Sequence, residues 1–208
     1  MRVLVGCECS STVTAAFRRL GVDAFSCDLQ KCYGEMPEYH VQGDLREVYD
    51  YVKPDLFIAH PPCTYLSRAG LNRLVDSSGK IKDWLRWERG LLGRDFFLWC
   101  LSRPASMVCI ENPVPIRRFG LPAPSQIVQP WFFGDAFTKQ TCLWLRGLPL
   151  LSMTAPVRPG ASWTAVHWSP RIRSKTFPGL ASAMAAAWSG DLVGYQYTFA
   201  DELRQIGD

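Results

Sequence analysis

Cys63 follows a short apolar run and two prolines, in the sequence D-L-F-I-A-H-P-P-C over residues 55–63. The run Leu56 to His60 is typical of a buried parallel strand, and Pro61 and Pro62 end it because proline lacks a backbone N–H and has a fixed φ. A thiol just past the carboxyl end of a strand lies where open α/β sheets bind ligands. Cys63 is therefore a candidate nucleophile, and the alternative is a buried core cysteine.

A second apolar run has the same form. Ser106 to Ile110 reads as a buried strand, and Glu111, Asn112 and Pro113 follow it. Because the carboxyl ends of parallel strands meet at one edge of a sheet, this pattern predicts a carboxylate at the edge that carries Cys63. The alternative for Glu111 is an ordinary acid at a strand end.

The first 28 residues have the pattern of a βαβ unit. We expect a strand from Arg2 to Val5, a helix from Thr12 to Leu20 with an N-cap from Ser10-Ser11, and a strand from Ala24 to Cys27. Asp28 then stands about twenty residues after the first turn, where an acid can accept hydrogen bonds from the ribose hydroxyls of a nucleotide-like cofactor.

The remaining elements complete an α/β domain. We expect helices from Leu45 to Val52 with Asp44 as N-cap, around Trp84 to Leu101 with its aromatic residues in the core, and from Phe177 to Trp188, with a polar helix from about Phe199. The predicted fold class is α/β: one mostly parallel sheet with helices on both faces. A chain of 208 residues suits a single catalytic domain over residues 1–208.

The composition bounds the function classes. A net charge of +4 and a pI near 8.6 are compatible with a polyanionic partner. We find neither a signal peptide nor an apolar run near the ~18 residues of a membrane span, so we expect a cytoplasmic protein with no membrane association. The eight cysteines are then reduced, and without a CxxC pair we predict no metal site.

The segment after Cys63 is basic and rich in serine and glycine, which predicts a mobile catalytic loop over residues 64–90. Its basic side chains suit phosphate contact, and the alternative is a solvated loop. A second short basic, aromatic segment covers residues 147–175.

The sequence P-P-C-T-Y-L-S-R-A-G resembles the nucleophile motif P-C-Q-x-F-S-x-x-G of the DNA (cytosine-5)-methyltransferases. Cys63, Ser67 and Gly70 stand at the motif spacing, while Thr64 replaces Gln and Leu66 replaces Phe. E-N-P resembles the E-N-V of the same family, whose Glu binds the ring nitrogen and amino group of the target cytosine. A carboxyl group that a dry pocket keeps protonated can donate to that nitrogen.

The resemblance implies a compact, phage-type member with a Rossmann-like S-adenosylmethionine-dependent methyltransferase fold. G-C-E-C-S-S replaces the F-x-G-x-G of the family at the first turn, so we expect the carboxylate of Glu8 to face the amino group or sulfonium of the cofactor. G-D-L resembles the G-D-I whose Asp contacts adenine. The implied residues for S-adenosylmethionine are Gly6, Cys7, Glu8, Asp28, Asp44 and Pro61.

F-G-x-x-x-x-K-x-T resembles the F-G-x-P-Q-x-R-x-R strand, and the final small-residue helix resembles the helix that packs beside the cofactor. The implied catalytic residues are Cys63, Glu111, Asn112, Lys139 and Thr141. The implied DNA-binding residues are Thr64, Ser67, Arg68, Asn72, Arg73, Arg171 and Arg173.

We therefore predict methylation of carbon 5 of cytosine in duplex DNA, with the base flipped out and a very short target sequence, because residues 147–175 are too short for a full recognition domain. No protein partner is required, and a monomer is favoured. One alternative is the same reaction on a free nucleotide, dCMP or dCTP. An alternative of another class is a non-catalytic protein that binds the cofactor or nucleic acid.

Overall fold

The computed structural model describes residues 1–166 and 169–190. Its strands are β1 (Arg2–Gly6), β2 (Asp23–Asp28), β3 (His40–Gln42), β4 (Leu56–Ala59), β5 (Met107–Pro113), β6 (Gln126–Val128) and β7 (Thr141–Arg146). Its α-helices are α1 (Thr12–Arg19), α2 (Leu45–Val52), α3 (Leu71–Leu74), α4 (Trp84–Leu101), α5 (Trp163–Val166), α6 (Pro170–Arg173) and α7 (Pro178–Trp188).

One sheet contains these strands in the order β3-β2-β1-β4-β5-β7-β6. The first five in this order are mutually parallel, and β7 runs antiparallel to both β5 and β6. The chain order reverses between β1 and β4, and open α/β sheets bind ligands at the carboxyl ends of the strands beside such a reversal. The mostly parallel, Rossmann-like fold predicted from the sequence is confirmed.

Helices cover both faces because the central strands are apolar on both sides. On β1, Val3 and Val5 face a core that includes α1 and α7, whereas Leu4 faces a second core that includes α2 and α4. This alternation fixes which face each strand-end side chain occupies.

The boundaries of most elements agree with the sequence. Helix α2 covers the expected residues, whereas β5 continues past Ile110 to Pro113, because Glu111, Asn112 and Pro113 pair with β7. The strand was expected to end before these residues, and a parallel pair with β4 alone would have ended it there.

The expectation that the aromatic residues of α4 pack in the core is wrong for Trp84, which is 64% exposed in the first turn. Trp87 does pack inward and stacks on Phe119 with ring centroids 4.9 Å apart. The polar helix expected from Phe199 lies outside the described residues.

The described residues were also compared with the requirements of membrane spans, metal sites and disulfides. No helix within them has the length and apolar character that crossing a membrane requires. Residues 1–166 and 169–190 also contain no group of three or more His, Cys, Asp or Glu side chains arranged to hold a metal ion. All eight cysteines are free thiols.

Candidate active site

The ends of β4 and β5 bring a histidine and a glutamate together. The two strands are parallel neighbours with Ala59 beside Ile110, so the next residues, His60 and Glu111, lie side by side on the same face. His60 Nδ1 is 2.8 Å from Glu111 Oε2, and both side chains are largely buried. The backbone N–H of His60 also donates to the carbonyl of Gly6 at 2.9 Å, which holds the residue on the sheet.

This contact controls the charge of both groups. Burial alone favours the neutral histidine, but the hydrogen bond and charge of Glu111, with the charge of Glu8, raise the pKa of His60 above its ordinary value. Burial likewise favours the neutral glutamic acid, but His60, aided by Lys139, lowers the pKa of Glu111. His60 therefore favours the carboxylate form of Glu111 in this arrangement, and the protonated form expected beside a cytosine ring nitrogen stays a prediction.

Asn112 makes a second connection between the two strand ends. Its side-chain amide donates to the carbonyl of Pro61 at 3.1 Å in a buried position. Asn112, which was predicted to be catalytic, therefore supports the turn that carries Cys63 through this hydrogen bond.

Cys63 lies half-buried at the start of the next turn, and its carbonyl accepts hydrogen bonds from the N–H groups of Leu66 and Ser67. Burial and, secondly, the charge of Glu111 raise the pKa of the Cys63 thiol, while Lys139 and Arg173 act in the opposite direction. These groups are thus close enough to interact electrostatically with the sulfur. The thiol is protonated at neutral pH, so it must lose its proton before it acts as a nucleophile.

Two hydrogen bonds attach the segment after Cys63 to the chain beyond β5. Arg68 N donates to Val114 O at 2.8 Å, and Ile116 N donates to Leu66 O at 2.7 Å. The proposed loop over residues 64–90 contains a 3₁₀ turn and helix α3, and its last seven residues belong to α4. The loop therefore ends before Trp84 rather than at residue 90.

Two arginines of α4 hold this segment from the other side. Arg86 Nη2 donates to Thr64 O at 2.7 Å, and Arg89 Nη1 donates to Tyr65 Oη at 2.9 Å. Both guanidinium groups also lie near the Tyr65 ring, with centroid distances of 5.1 Å and 5.7 Å. A Cβ at Gly70 would lie 2.5 Å from Arg86 Nη2, so a larger residue there would displace this guanidinium.

The predicted DNA-binding residues divide into two groups. Arg68, Asn72 and Arg73 are exposed on the 3₁₀ turn and on α3, close in sequence to Cys63. Ser67 caps that turn, because its Oγ accepts from Ala69 N at 3.3 Å. Thr64 is also exposed, although its carbonyl is bound by Arg86.

The second group comes from α6. Arg173 is exposed and interacts electrostatically with Cys63, whereas the Arg171 guanidinium lies 3.9 Å from the centroid of the Tyr33 ring. The segment 147–175 thus approaches the site through Arg173, whose carbonyl also accepts a hydrogen bond from Lys139. His167 and Trp168 of this segment lie outside the described residues.

Lys139 joins the site, and Thr141 supports it. Lys139 Nζ donates to the carbonyl of Arg173 at 3.0 Å. Its charge acts on Cys63, Glu111 and His60, which places the ammonium group near all three. Thr141 is buried, and its Oγ1 donates to the carbonyl of Lys139 at 3.3 Å.

The turn after β1 achieves an unusual backbone conformation without glycine. Cys7 and Ser11 have φ values of 58° and 50°, in the left-handed region that glycine prefers. Ser11 occupies the N-cap position of α1, as expected, but its side chain makes no capping hydrogen bond. Glu8 binds this helix end instead.

The carboxylate of Glu8 is 3% exposed and turned toward the start of α1. It accepts from Val13 N at 2.6 Å, Thr14 N at 3.2 Å and Thr14 Oγ1 at 2.7 Å. Both oxygens are therefore bound to the helix start, where a negative charge is stabilised. The predicted orientation toward a cofactor is replaced by this structural role.

Two acids flank the same turn. Asp28 and Asp44 both raise the pKa of Cys7, after the larger effect of burial, so both carboxylates lie near this thiol. Asp44 caps α2, with its Oδ1 accepting from Arg46 N at 2.8 Å. Asp28 accepts from Gln30 N at 2.8 Å through Oδ1, and its Oδ2 has no hydrogen-bond donor among the described residues.

These residues fit the adenosine half of S-adenosylmethionine in donor type. Asp28 lies at the end of β2 and has an available carboxylate oxygen, which suits the ribose hydroxyls. Gly6 ends β1 and packs against Leu45, because a Cβ at position 6 would lie 2.5 Å from a methyl group of Leu45. A separate cavity of about 510 Å³ lies between the start of α1 and the start of α7, and Ser10 and Phe177 line it, whereas none of the predicted cofactor residues does.

Sequence reasoning missed His60 and Arg86. His60 directly follows the apolar residues of β4, and Glu111 directly follows those of β5. An alignment of the two strand ends would therefore have placed His60 beside Glu111. Arg86 gave no such signal, because its contact with Thr64 spans 22 positions and depends on where α4 packs.

The chain matches no family model and no curated protein. Among solved structures it is similar to the Dnmt2 methyltransferase of S. pombe, at 13% identity and a TM-score of 0.46, over 72% of this chain and 52% of that chain. It is also similar to the methyltransferase EhMeth of Entamoeba histolytica, at 12% identity and a TM-score of 0.45, over 76% of this chain and 57% of that one.

A DNMT2 mutant of Spodoptera frugiperda has 11% identity and a TM-score of 0.38, over 77% of this chain and 54% of that chain. The chain thus spans little more than half the length of these three methyltransferases.

Proposed function

We propose that this protein methylates carbon 5 of cytosine in DNA and uses S-adenosylmethionine as the methyl donor. The observation that carries the proposal is the grouping of Cys63, Glu111 and Lys139. Cys63 follows β4, Glu111 lies on the neighbouring β5, and Lys139 stands two residues before Thr141, which pairs with Pro113 at the end of β5. The charges of Glu111 and Lys139 shift the pKa of the Cys63 thiol in opposite directions. The resemblance of P-P-C and E-N-P to family motifs supports this reading.

Each of these residues has a role in the proposed reaction. The Cys63 thiolate adds to carbon 6 of cytosine, and the pyrimidine ring gains negative charge, which makes carbon 5 nucleophilic. Glu111 binds the ring nitrogen and the amino group. Lys139 favours the thiolate, because its positive charge opposes the effects that raise the pKa of Cys63. When bound, S-adenosylmethionine supplies an electrophilic methyl group.

Two exposed basic regions favour DNA as the substrate. Arg68 and Arg73 lie after Cys63 in the chain, and Arg173 reaches the same thiol from α6. Exposed cations from two segments of the chain suit the phosphates around a cytosine that has been flipped out of the duplex. The small recognition surface of residues 147–175 favours a target of very few base pairs.

Nucleoside mass spectrometry tests the proposal directly. Duplex DNA, dCMP and dCTP are incubated separately with S-adenosylmethionine and the wild type, Cys63→Ala or Cys32→Ala. We expect 5-methyldeoxycytidine in DNA with the wild type and with Cys32→Ala, and none with Cys63→Ala. Cys32 is the control because it is a half-buried cysteine outside the site. Thermal unfolding of all three proteins checks that the variants are folded.

Other outcomes decide against the proposal. Product from dCMP or dCTP alone would identify a nucleotide methyltransferase. No methylated product from any substrate, with a folded protein that binds the cofactor in calorimetry, would favour the non-catalytic alternative. Product from DNA that persists in Cys63→Ala would contradict the assigned nucleophile.

A further inference from the structure

We propose that His60 is the proton reservoir of the site: it holds the proton that Glu111 passes to the ring nitrogen of the substrate. This inference rests on the proposed function and deepens it. His60 acts through Glu111, so it is a positioning and proton-holding residue rather than one that touches the substrate.

The geometry restricts how the His60–Glu111 pair can exchange a proton. The Nδ1–Oε2 distance of 2.8 Å is a direct hydrogen bond between two buried side chains on neighbouring strands. His60 Nε2 is buried and has no hydrogen-bond partner among the described residues. Within the described chain, the imidazole is therefore held through Nδ1 alone, and its proton exchange with the protein runs through Glu111.

The surrounding charges keep the proton on the pair. Glu111 and Glu8 favour the imidazolium of His60, and Lys139 opposes it. The other titratable groups that interact with Glu111 are the thiols of Cys63, Cys109 and Cys142. The contact between His60 and Glu111 therefore favours a state with one proton more than a neutral imidazole and a carboxylate would hold.

That proton removes a difficulty in the proposed reaction. Glu111 must donate to the ring nitrogen, yet the carboxylate that the structure favours has no proton to give. His60 supplies it. As the Cys63 sulfur forms its bond to carbon 6, the electron pair of the 5,6 double bond is displaced toward the ring nitrogen, which takes up the proton from Glu111.

Water accepts the thiol proton of Cys63 before the sulfur adds to carbon 6. One proton leaves His60 Nδ1 for Glu111, and Glu111 transfers a proton to the ring nitrogen, which leaves a neutral imidazole and a carboxylate. S-adenosylmethionine, when bound, would supply the methyl group, whose bond to carbon 5 forms as its bond to the sulfonium breaks. Water accepts the carbon 5 proton, Cys63 leaves carbon 6 as a thiolate, and the 5,6 double bond re-forms. The ring nitrogen then returns its proton through Glu111 to His60.

Nuclear magnetic resonance tests the pair without any substrate. The chain has three histidines, and the ring signals of His60 are those lost in His60→Asn. We expect Glu111→Gln to lower the pKa of His60, because the carboxylate is what retains its proton. The ring signals of His40, which contacts Ser26 and Gln30 instead, serve as the internal reference. An unchanged titration of His60 in Glu111→Gln would overturn the proposal.

The pH dependence of methylation tests the proton transfer. Asn at position 60 places an amide donor near the position of Nδ1 but has no proton to give. We expect kcat to fall by about 10²-fold or more in His60→Asn, as for the loss of general acid catalysis, with KM for DNA little changed. The wild-type profile of kcat falls at high pH as His60 loses its proton, and this fall is absent in the variant.

The control is His40→Asn, which removes a histidine from β3. We expect it to keep the wild-type profile. A His60→Asn enzyme with the wild-type kcat and the same fall at high pH would refute the proton role. If the wild type methylates nothing, the proposed function fails and the proton role fails with it, whereas the resonance experiment still decides whether the pair exists.

Discussion

The side-chain amide of Asn112 donates to the carbonyl of Pro61 across 3.1 Å, and this hydrogen bond joins the ends of two neighbouring parallel strands. It lies on the opposite side of β5 from the contact between Glu111 and His60, because successive side chains on a strand alternate in direction. The two hydrogen bonds together fix the spacing between the turn that carries Cys63 and the carboxylate that faces it.

Asn112→Ala is expected to destabilise the protein. The variant leaves the buried carbonyl of Pro61 without this donor, which costs about 1–3 kcal/mol. Urea unfolding measures the change, with Asn72→Ala on an exposed helix as the matched control. Equal stability of the two variants would mean that the carbonyl finds another donor and that the strand ends are not held in this way.

Arg86→Lys is expected to loosen the segment that follows Cys63. Lysine keeps the positive charge but loses the fork of donors that reaches Thr64 O while stacking near Tyr65. Hydrogen exchange of residues 64–74 should become several-fold faster, and kcat should fall more than the affinity for the cofactor.

The matched control is Arg94→Lys on the same helix, where the guanidinium hydrogen-bonds to the exposed Asp95 rather than to the segment after Cys63. Exchange rates that rise equally in both variants would locate the effect in α4 as a whole rather than in the contact with Thr64.

Glu8→Gln should reduce stability through the start of α1. A carboxylate that accepts three hydrogen bonds from Val13 and Thr14 is replaced by an amide with one accepting oxygen and no charge. A loss of about 1–3 kcal/mol follows, since hydrogen bonds to a buried charge are the stronger ones. Chemical denaturation measures it.

Glu47→Gln provides the comparison, because Glu47 is an exposed acid in the first turn of α2. We expect it to change stability by less than about 0.5 kcal/mol. A Glu8→Gln protein as stable as wild type would restore the cofactor role for this carboxylate.

The reactivity of Cys63 should depend on two charged neighbours in opposite directions. Burial and Glu111 raise the pKa of the thiol, and Lys139 lowers it. At pH 7.5, alkylation of Cys63 by iodoacetamide is therefore expected to be about 2- to 10-fold faster in Glu111→Gln and slower in Lys139→Gln, because the thiolate is the reactive form. Peptide mass spectrometry follows each site, with Cys32 as the internal reference; rates that change in the same direction in both variants would contradict this arrangement.

The contribution of His60 and Glu111 to stability should be limited to a window of pH. The pKa of Glu111 is lowered, so its contribution is present above about pH 4.5 and is lost as the pH falls through the folded-state pKa. The pKa of His60 is raised, so its contribution is present below about pH 6.5 and is lost as the pH rises through the folded-state pKa.

The free energy of unfolding of the wild type should therefore exceed that of Glu111→Gln most between about pH 4.5 and 6.5. Urea titrations at pH 5.5 and pH 9 measure the difference. A difference that is constant between these two values would show that no ion pair forms.

The main elements of the sheet were predictable from local sequence. Leu56 and Met107 begin apolar runs, both runs are followed by proline, and parallel strands place their ends at one edge. The helix from Leu45 to Val52, with Asp44 as its cap, also followed from residue type and spacing. These features depend on hydrophobic periodicity and backbone restriction, which act over a few residues.

The sequence by itself determined that Cys63 and Glu111 follow buried strands, and hence that a thiol and a carboxylate share one edge of the sheet. Only the tertiary structure decided their charge states, because burial and the contact between His60 and Glu111 depend on packing across 51 positions. It also decided that Glu8 serves the start of α1 and that Arg86 binds Thr64. Electrostatic energy depends on distance in space and on exclusion of water, and neither is encoded in the spacing of residues along the chain.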